Sequence, residues 1–173
     1  MDRDDLPSLD EERRIYSHHE NDPSDRRYRA FLDRLAAPLC ARLSPGMSGL
    51  DYGADPGPTL ALMLGERGFL TTSWDPLFEP QDDLLDRRYD FVICTEVVEH
   101  FHRPRVEFDR LASLLRPGGW LAIMTQWQPP DLSFQQWHYV RDPTHVSFYA
   151  ERTFDWIAEK YGFWLESQRG MSP

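Results

Sequence analysis

Lysine is almost absent from this 173-residue chain: Lys160 is the only one, and arginine supplies the rest of the 19 basic residues. Against 29 Asp and Glu, the formal net charge is -10. That balance argues against a general nucleic-acid or anionic-membrane surface, because either needs clustered positive charge. Cysteine is scarce as well. Cys40 and Cys94 are too few for a disulfide framework, and Cys94 lies in an apolar run where a free thiol is an ordinary small hydrophobe. A reducing, cytoplasmic setting is expected. No apolar run approaches membrane-spanning length, and Met1 to Asp10 is acidic rather than a signal peptide. With no internal repeat, low-complexity segment or linker, the length suits one domain around one core.

What the chain does have is concentrated in one run, F-V-I-C-T-E-V-V-E-H, from Phe91 to His100. Phe91 to Cys94 form a continuous β-rich apolar block, the pattern of a buried strand. If a helix follows Cys94, then Glu96, Glu99 and His100 fall at i, i+3 and i+4 and share one face. Open α/β sheets bind ligands at the carboxyl ends of their strands, which makes this a candidate site. A polar helix start, with glutamates near the positive end of the dipole, explains the same residues equally well.

The remaining elements alternate. Met1 to Asp25 is polar and includes His18 and His19. Residues 1–24 read as an arm or lid, and residues 25–173 as a single domain. The histidines suit either solvated chain or a flap over a site. Between Asp25 and Leu43, Tyr28, Phe31, Leu32, Leu35, Leu39 and Leu43 recur at helical spacing, with Pro38 as a point of bending. Met47 to Tyr52 is a short strand, Asp51 to Gly57 a glycine turn, and Thr59 to Arg67 a helix ended by Gly68. Strand, glycine turn and helix hold nucleotide-type cofactors, because glycines admit a ligand to the backbone and the helix start offers unpaired N–H groups. A plain turn is the alternative. The next strand, Phe69 to Trp74, ends in Asp75-Pro76, where an acid usually holds a ribose hydroxyl pair.

Between Pro76 and Arg88 there is little room for the usual next strand and helix. Arg105 to Leu115 reads as a helix stopped by Arg116-Pro117-Gly118-Gly119. Trp120 to Thr125 is the following strand, and Asp155 to Tyr161 the last helix, ended by Gly162. Phe163 to Ser167 suits one more strand. The insertion over residues 126–149 differs in character. It carries Trp127, Phe134, Trp137, Tyr139, Phe148 and Tyr149 beside His138, Asp142, Thr144 and His145. So long a loop in a compact domain is usually functional, and its aromatics suit the wall of a small-molecule pocket or a flap closing the core.

In series, D-Y-G-A-D-P-G, Asp75, Y-D-F-V-I-C-T-E-V-V-E-H and L-R-P-G-G-W-L resemble a class I S-adenosylmethionine-dependent methyltransferase over roughly Leu50 to Gly162. The resemblance implies an α/β fold: a Rossmann-like, mostly parallel sheet with helices on both faces. Here it is expected to be reduced after the second strand and to lack the last antiparallel strand. The resemblance also implies cofactor contacts. Asp51 would meet the methionine amino group, and Gly53, Ala54 and Gly57 would form the cradle. Asp75 and Pro76 would lie at the ribose, with Thr95 and Glu96 at the next strand end. Asp82 and Asp83 are candidates for the adenine amine, and Asp55 stands where the middle glycine is usual.

The E-x-x-E-H run is similar to metal-dependent O-methyltransferases, both of ubiquinone biosynthesis and of the small-RNA 3'-end type. That likeness implies Glu96, Glu99, His100 and, from D-P-T-H-V-S-F-Y, His145 as ligands of Mg²⁺ or Mn²⁺. Such an ion lowers the pKa of a substrate hydroxyl and orients it. In a metal-free version His100, His138 or His145 would act as general base. A small hydroxylated, phenolic-type substrate is expected rather than nucleic acid. A non-catalytic binding or regulatory descendant is the alternative. A nicotinamide dehydrogenase is disfavoured, because D-x-G precedes the turn and the third glycine is not placed as in G-x-G-x-x-G.

Overall fold

The computed structural model describes residues 6–17, 21–54, 56–78 and 80–167. The expectations for His18, His19 and Asp55 therefore lie outside the described residues.

Strand alternation decides which layer each side chain serves. In β3 (Tyr89–Thr95) Val92 and Cys94 face one side, and Phe91 and Ile93 the other. β4 (Leu115–Met124) repeats the pattern, with Leu121 and Ile123 on the first side and Trp120 and Ala122 on the second. In β1 (Ser48–Tyr52), Leu50 and Tyr52 join the first side. A sheet buried on both faces needs two covers. α4 (Pro104–Leu114) and α5 (Glu151–Tyr161) bring Phe108, Leu111, Phe154 and Ile157 to one face. α2 (Arg26–Cys40) and α3 (Thr59–Glu66) bring Leu32, Leu39, Leu60 and Met63 to the other.

With β2 (Leu70–Trp74) at one edge, the strand order is β2-β1-β3-β4 and every pairing is parallel. This is the expected Rossmann-like α/β fold with helices on both faces. The connection after β2 is reduced as anticipated. Between Trp74 and Tyr89 the only regular element among the described residues is the single 3₁₀ turn Asp82–Leu84, which buries Leu84. No helix among them is long and apolar enough to cross a membrane.

Two expectations need correction. The R-P-G-G segment does not stop a helix. α4 ends at Leu114, Leu115 already pairs with Tyr89, and Phe91 next pairs with Trp120, so Arg116 to Gly119 bulge out of β4. Asp90 pins this bulge through Arg116 Nη1 at 2.7 Å and the Ser48 amide at 2.8 Å. Phe163 to Ser167 is not a strand: Trp164 is 97% exposed, and the Phe163 N–H closes α5 onto the Ala158 carbonyl at 2.8 Å. Gly162, at φ +72°, supplies the left-handed residue this cap requires. The polar N-terminal stretch also contains regular structure. α1 (Leu9–Tyr16) starts with a capping box between Ser8 and Glu11 and buries Glu12 and Tyr16.

Candidate active site

Strand order reverses between β1 and β3, and the carboxyl ends of those strands carry Asp51 to Gly53 and Thr95-Glu96. An open α/β sheet forms its ligand crevice at such a point. A cleft lies here, lined among others by Asn21, Tyr28, Asp51, Gly53, Ala54, Gly57 and Thr95. Gly53 has φ +82°, and a Cβ there would come within 2.7 Å of Val97. Gly57 has φ +130°, and a Cβ there would stand 2.9 Å from Asn21. Both sites thus require glycine for backbone conformation and for space. Asp51 is buried at the cleft, and Thr95 Oγ1 is buried with no hydrogen-bond partner among the described residues. A donor set of this kind suits a polar ligand.

Asp75 follows the last residue of β2 and is buried, its Oδ1 accepting from the Leu77 and Phe78 amides at 2.7 and 3.0 Å. Pro76 after it is exposed, and neither residue is among those lining the cleft. Asp82 and Asp83 are exposed on their 3₁₀ turn, with Asp83 paired to Arg87.

The second part of the site departs from the expected helix. The Glu96 amide donates to the Met124 carbonyl at 2.8 Å, extending the edge of the sheet by one bond. Glu96 then turns left-handed, at φ 52°, and a 3₁₀ turn, Val98–His100, follows. A left-handed non-glycine residue costs on the order of 1 kcal/mol or more, and such strain clusters at functional sites. Glu99, His100 and His145 nevertheless converge, each offering a ligand atom within 4.8 Å of the others.

The insertion supplies His145 because its base is closed by the Trp127–Tyr149 bridge and its returning limb, at Val146 and Ser147, is tied to the Glu99 backbone. Val146 and Ser147 N–H groups both donate to the Glu99 carbonyl at 2.9 Å. His100 Nδ1 meets the Thr144 carbonyl at 3.0 Å, and His145 Nδ1 the Tyr139 carbonyl at 2.8 Å. A carbonyl only accepts, so each ring carries its proton on Nδ1 and its lone pair on Nε2. Asp142 Oδ2 stands 3.8 Å from His145 Nε2.

Glu96 stays outside the three-residue cluster and is reached instead through Tyr139, whose hydroxyl is 3.2 Å from Glu96 Oε2. Burial, and next the neighbouring Glu96 charge, push the Glu99 carboxyl up to about 7. Burial also raises Glu96 above the ordinary carboxylate range. His138 is exposed and lies outside the cluster. Sequence reasoning placed Tyr139 in a pocket wall and gave Tyr16 and Thr125 no role. Yet Tyr16 touches His100 and Thr125 donates to Glu99 Oε2.

Residues 16–168 match the family described as "Methyltransferase domain". The chain belongs to that family. It is a class I S-adenosylmethionine-dependent methyltransferase domain, as its fold and motif order had implied. A ubiquinone biosynthesis O-methyltransferase from Erwinia tasmaniensis is 34% identical over 79 residues, covering 46% of this chain and 32% of that protein. The methyltransferase domain thus spans about a third of the length of that relative. Among solved structures, an O-methyltransferase family protein from Burkholderia thailandensis has a TM-score of 0.58 at 19% identity, over 92% of this chain and 60% of the other. The Haemonchus contortus phosphoethanolamine N-methyltransferase 2, solved in complex with S-adenosyl-L-methionine, has a TM-score of 0.55 at 20% identity, over 77% of this chain and 35% of the other. These structural likenesses establish the shared fold of the methyltransferase domain.

Proposed function

We propose that this domain transfers a methyl group from S-adenosylmethionine to a hydroxyl oxygen of a small, phenolic-type substrate, with a divalent ion, Mg²⁺ or Mn²⁺, beside the acceptor. The observation that carries the reading is the convergence of Glu99, His100 and His145 at a sheet edge that also holds a glycine-lined cleft. The match to ubiquinone biosynthesis O-methyltransferases supports an oxygen acceptor.

The cofactor supplies a sulfonium-activated methyl group, and a divalent ion supplies charge that lowers the pKa of the acceptor hydroxyl. The chain's own part is holding and orientation. Asp51 would take the methionine amino group, Gly53, Ala54 and Gly57 would follow the cofactor with backbone, and Thr95 would use its unpartnered hydroxyl. Asp75 and Pro76 would serve the ribose end. Glu99, His100 and His145 would bind the ion through one carboxylate and two Nε2 atoms, with Glu96 as the fourth, more distant group. Trp137 and Tyr139, both buried, exclude water from the ion side. In a metal-free version His100, His138 or His145 is the base, and the clustering of part-buried His100 with buried His145 favours those two over exposed His138.

Residues 1–24 as a lid, residues 126–149 as the substrate wall and a cytoplasmic location belong to the same proposal. The net charge of -10 supports a small molecule over nucleic acid. Calorimetry with S-adenosylhomocysteine, followed by methyl transfer from labelled S-adenosylmethionine to a panel of catechols with and without Mn²⁺, tests the proposal. No cofactor binding at millimolar ligand removes the enzyme reading and leaves a regulatory one. Transfer that ignores chelators removes the ion.

A further inference from the structure

Tyr139 joins more of the candidate ion site than any of the proposed ligands does. Its hydroxyl donates to Glu99 Oε1 and lies 3.2 Å from both Glu96 Oε2 and Thr125 Oγ1. Its backbone carbonyl accepts from His145 Nδ1 at 2.8 Å. Its ring centroid is 4.1 Å from that of His145, while Trp137 stacks on it at 5.0 Å and 29°. Tyr139 is 5% exposed and Trp137 1%, so the phenol ring is fixed by packing between its neighbours.

We infer that Tyr139 is a positioning residue for the divalent ion, a role that rests on the proposed ion site. Glu99 is fully buried, and its two oxygens are held by different donors: Oε1 by Tyr139 and Oε2 by Thr125 at 3.1 Å. Each carboxylate oxygen has two acceptor directions, so one bond per oxygen fixes the plane of the group and leaves a lone pair on each for an ion. The same tyrosine sets the second ligand, because its carbonyl fixes the His145 tautomer and its ring limits rotation of the imidazole. The same hydroxyl lies 3.2 Å from Glu96 Oε2, so the two carboxylates meet at one phenol. One residue thus coordinates the orientation of groups drawn from the β3 edge and from the insertion. Loss of a partner behind the ligands lowers metal affinity by about 10- to 100-fold in metal sites generally.

The test is Tyr139→Phe, which removes the hydroxyl and keeps ring and carbonyl. Mn²⁺ affinity is measured by calorimetry, and the bound ion's spectrum by electron paramagnetic resonance, in wild type, Y139F and Glu99→Ala. S-adenosylhomocysteine affinity reports the fold. The expected result is a Mn²⁺ affinity lowered about 10- to 100-fold in Y139F, an altered Mn²⁺ line shape, and unchanged S-adenosylhomocysteine affinity. If wild type binds Mn²⁺, E99A does not and Y139F equals wild type, the ion site stands and the role of Tyr139 falls. If wild type binds no divalent ion, the ion site itself fails and takes this role with it. Should Y139F lose S-adenosylhomocysteine, its Mn²⁺ spectrum at saturating ion decides: a line shape equal to wild type overturns the role of Tyr139, and an altered one upholds it.

Discussion

Tyr16 and His100, 84 positions apart in the chain, meet with the Tyr16 hydroxyl 3.0 Å from His100 Nδ1 and the two rings edge to face at 5.4 Å. Two residues further along, His102 Nε2 lies 2.8 Å from Glu12 Oε1, and Arg13 reaches the Leu77 carbonyl at 2.5 Å. α1 is therefore fastened to the segment that presents the candidate ion ligands. Its own eight residues are too few to be stable as a free helix, so these contacts hold it.

Tyr16→Phe should cost about 1 kcal/mol, the usual net worth of one hydrogen bond, and should speed amide exchange across α1 while leaving β3 protected. Urea denaturation and hydrogen exchange by mass spectrometry measure the two effects. Equal exchange in α1 of wild type and variant would mean that the Tyr16 hydroxyl does not fasten the helix.

Stability of the ion-free protein should fall as pH rises from about 4.5 to about 7. Glu99 titrates near 7 when folded against an ordinary 4.5, so the folded state holds the extra proton in that window. Unfolding is then favoured as the proton leaves, and the cost is fully present above about pH 7. Its size is on the order of 3 kcal/mol, shared with Glu96 through their coupling. Denaturation at pH 5 and pH 8, for wild type and Glu99→Gln, checks this. The glutamine variant should lose most of the slope, and saturating Mn²⁺ should flatten it in wild type. A parallel slope in E99Q would assign the pH dependence elsewhere.

The cofactor cleft makes a separate prediction. Gly53→Ala places a methyl within 2.7 Å of Val97 at φ +82°, and should destabilise the fold by about 1 kcal/mol or more while weakening S-adenosylhomocysteine. Asp51→Asn keeps shape and removes charge, so the fold should survive with affinity lowered about 10-fold or more, the worth of a charge-assisted bond. Unchanged affinity in D51N would release Asp51 from the amino-group role.

The insertion histidines should differ. His145→Ala should abolish Mn²⁺ binding, whereas His138→Ala, at an exposed position outside the cluster, should leave both ion and cofactor affinity within about two-fold of wild type, as surface substitutions usually do. A loss of activity in H138A with ion binding intact would instead support His138 as a base.

How much of this could be read from the residues themselves follows the range of the forces involved. The continuous apolar block of β3, the glycine turn, the strand-end acid and the short stretch after β2 are local patterns, and the parallel sheet with helices on both faces was what the resemblance carried by those motifs implied. The D-Y-G turn and the E-x-x-E-H run were legible because their residues are neighbours in the chain. Tertiary structure decided the rest. The R-P-G-G segment has the composition of a helix stop, but pairing of Leu115 with Tyr89 draws it into β4 as a bulge. Glu96 carries no mark of a left-handed residue; the sheet bond to Met124 and the turn into Val98–His100 impose it. Tyr139 and Glu99 are 40 positions apart, and Tyr16 and His100 84. No spacing rule spans such distances, so contact between them depends on where the insertion and α1 pack. The sequence by itself determined a class I methyltransferase domain and which side chains were chemically able to hold a cofactor or an ion. Only packing decided that Glu99, His100 and His145 share one point and that a tyrosine stands behind them, because burial and backbone closure act between elements, not within them.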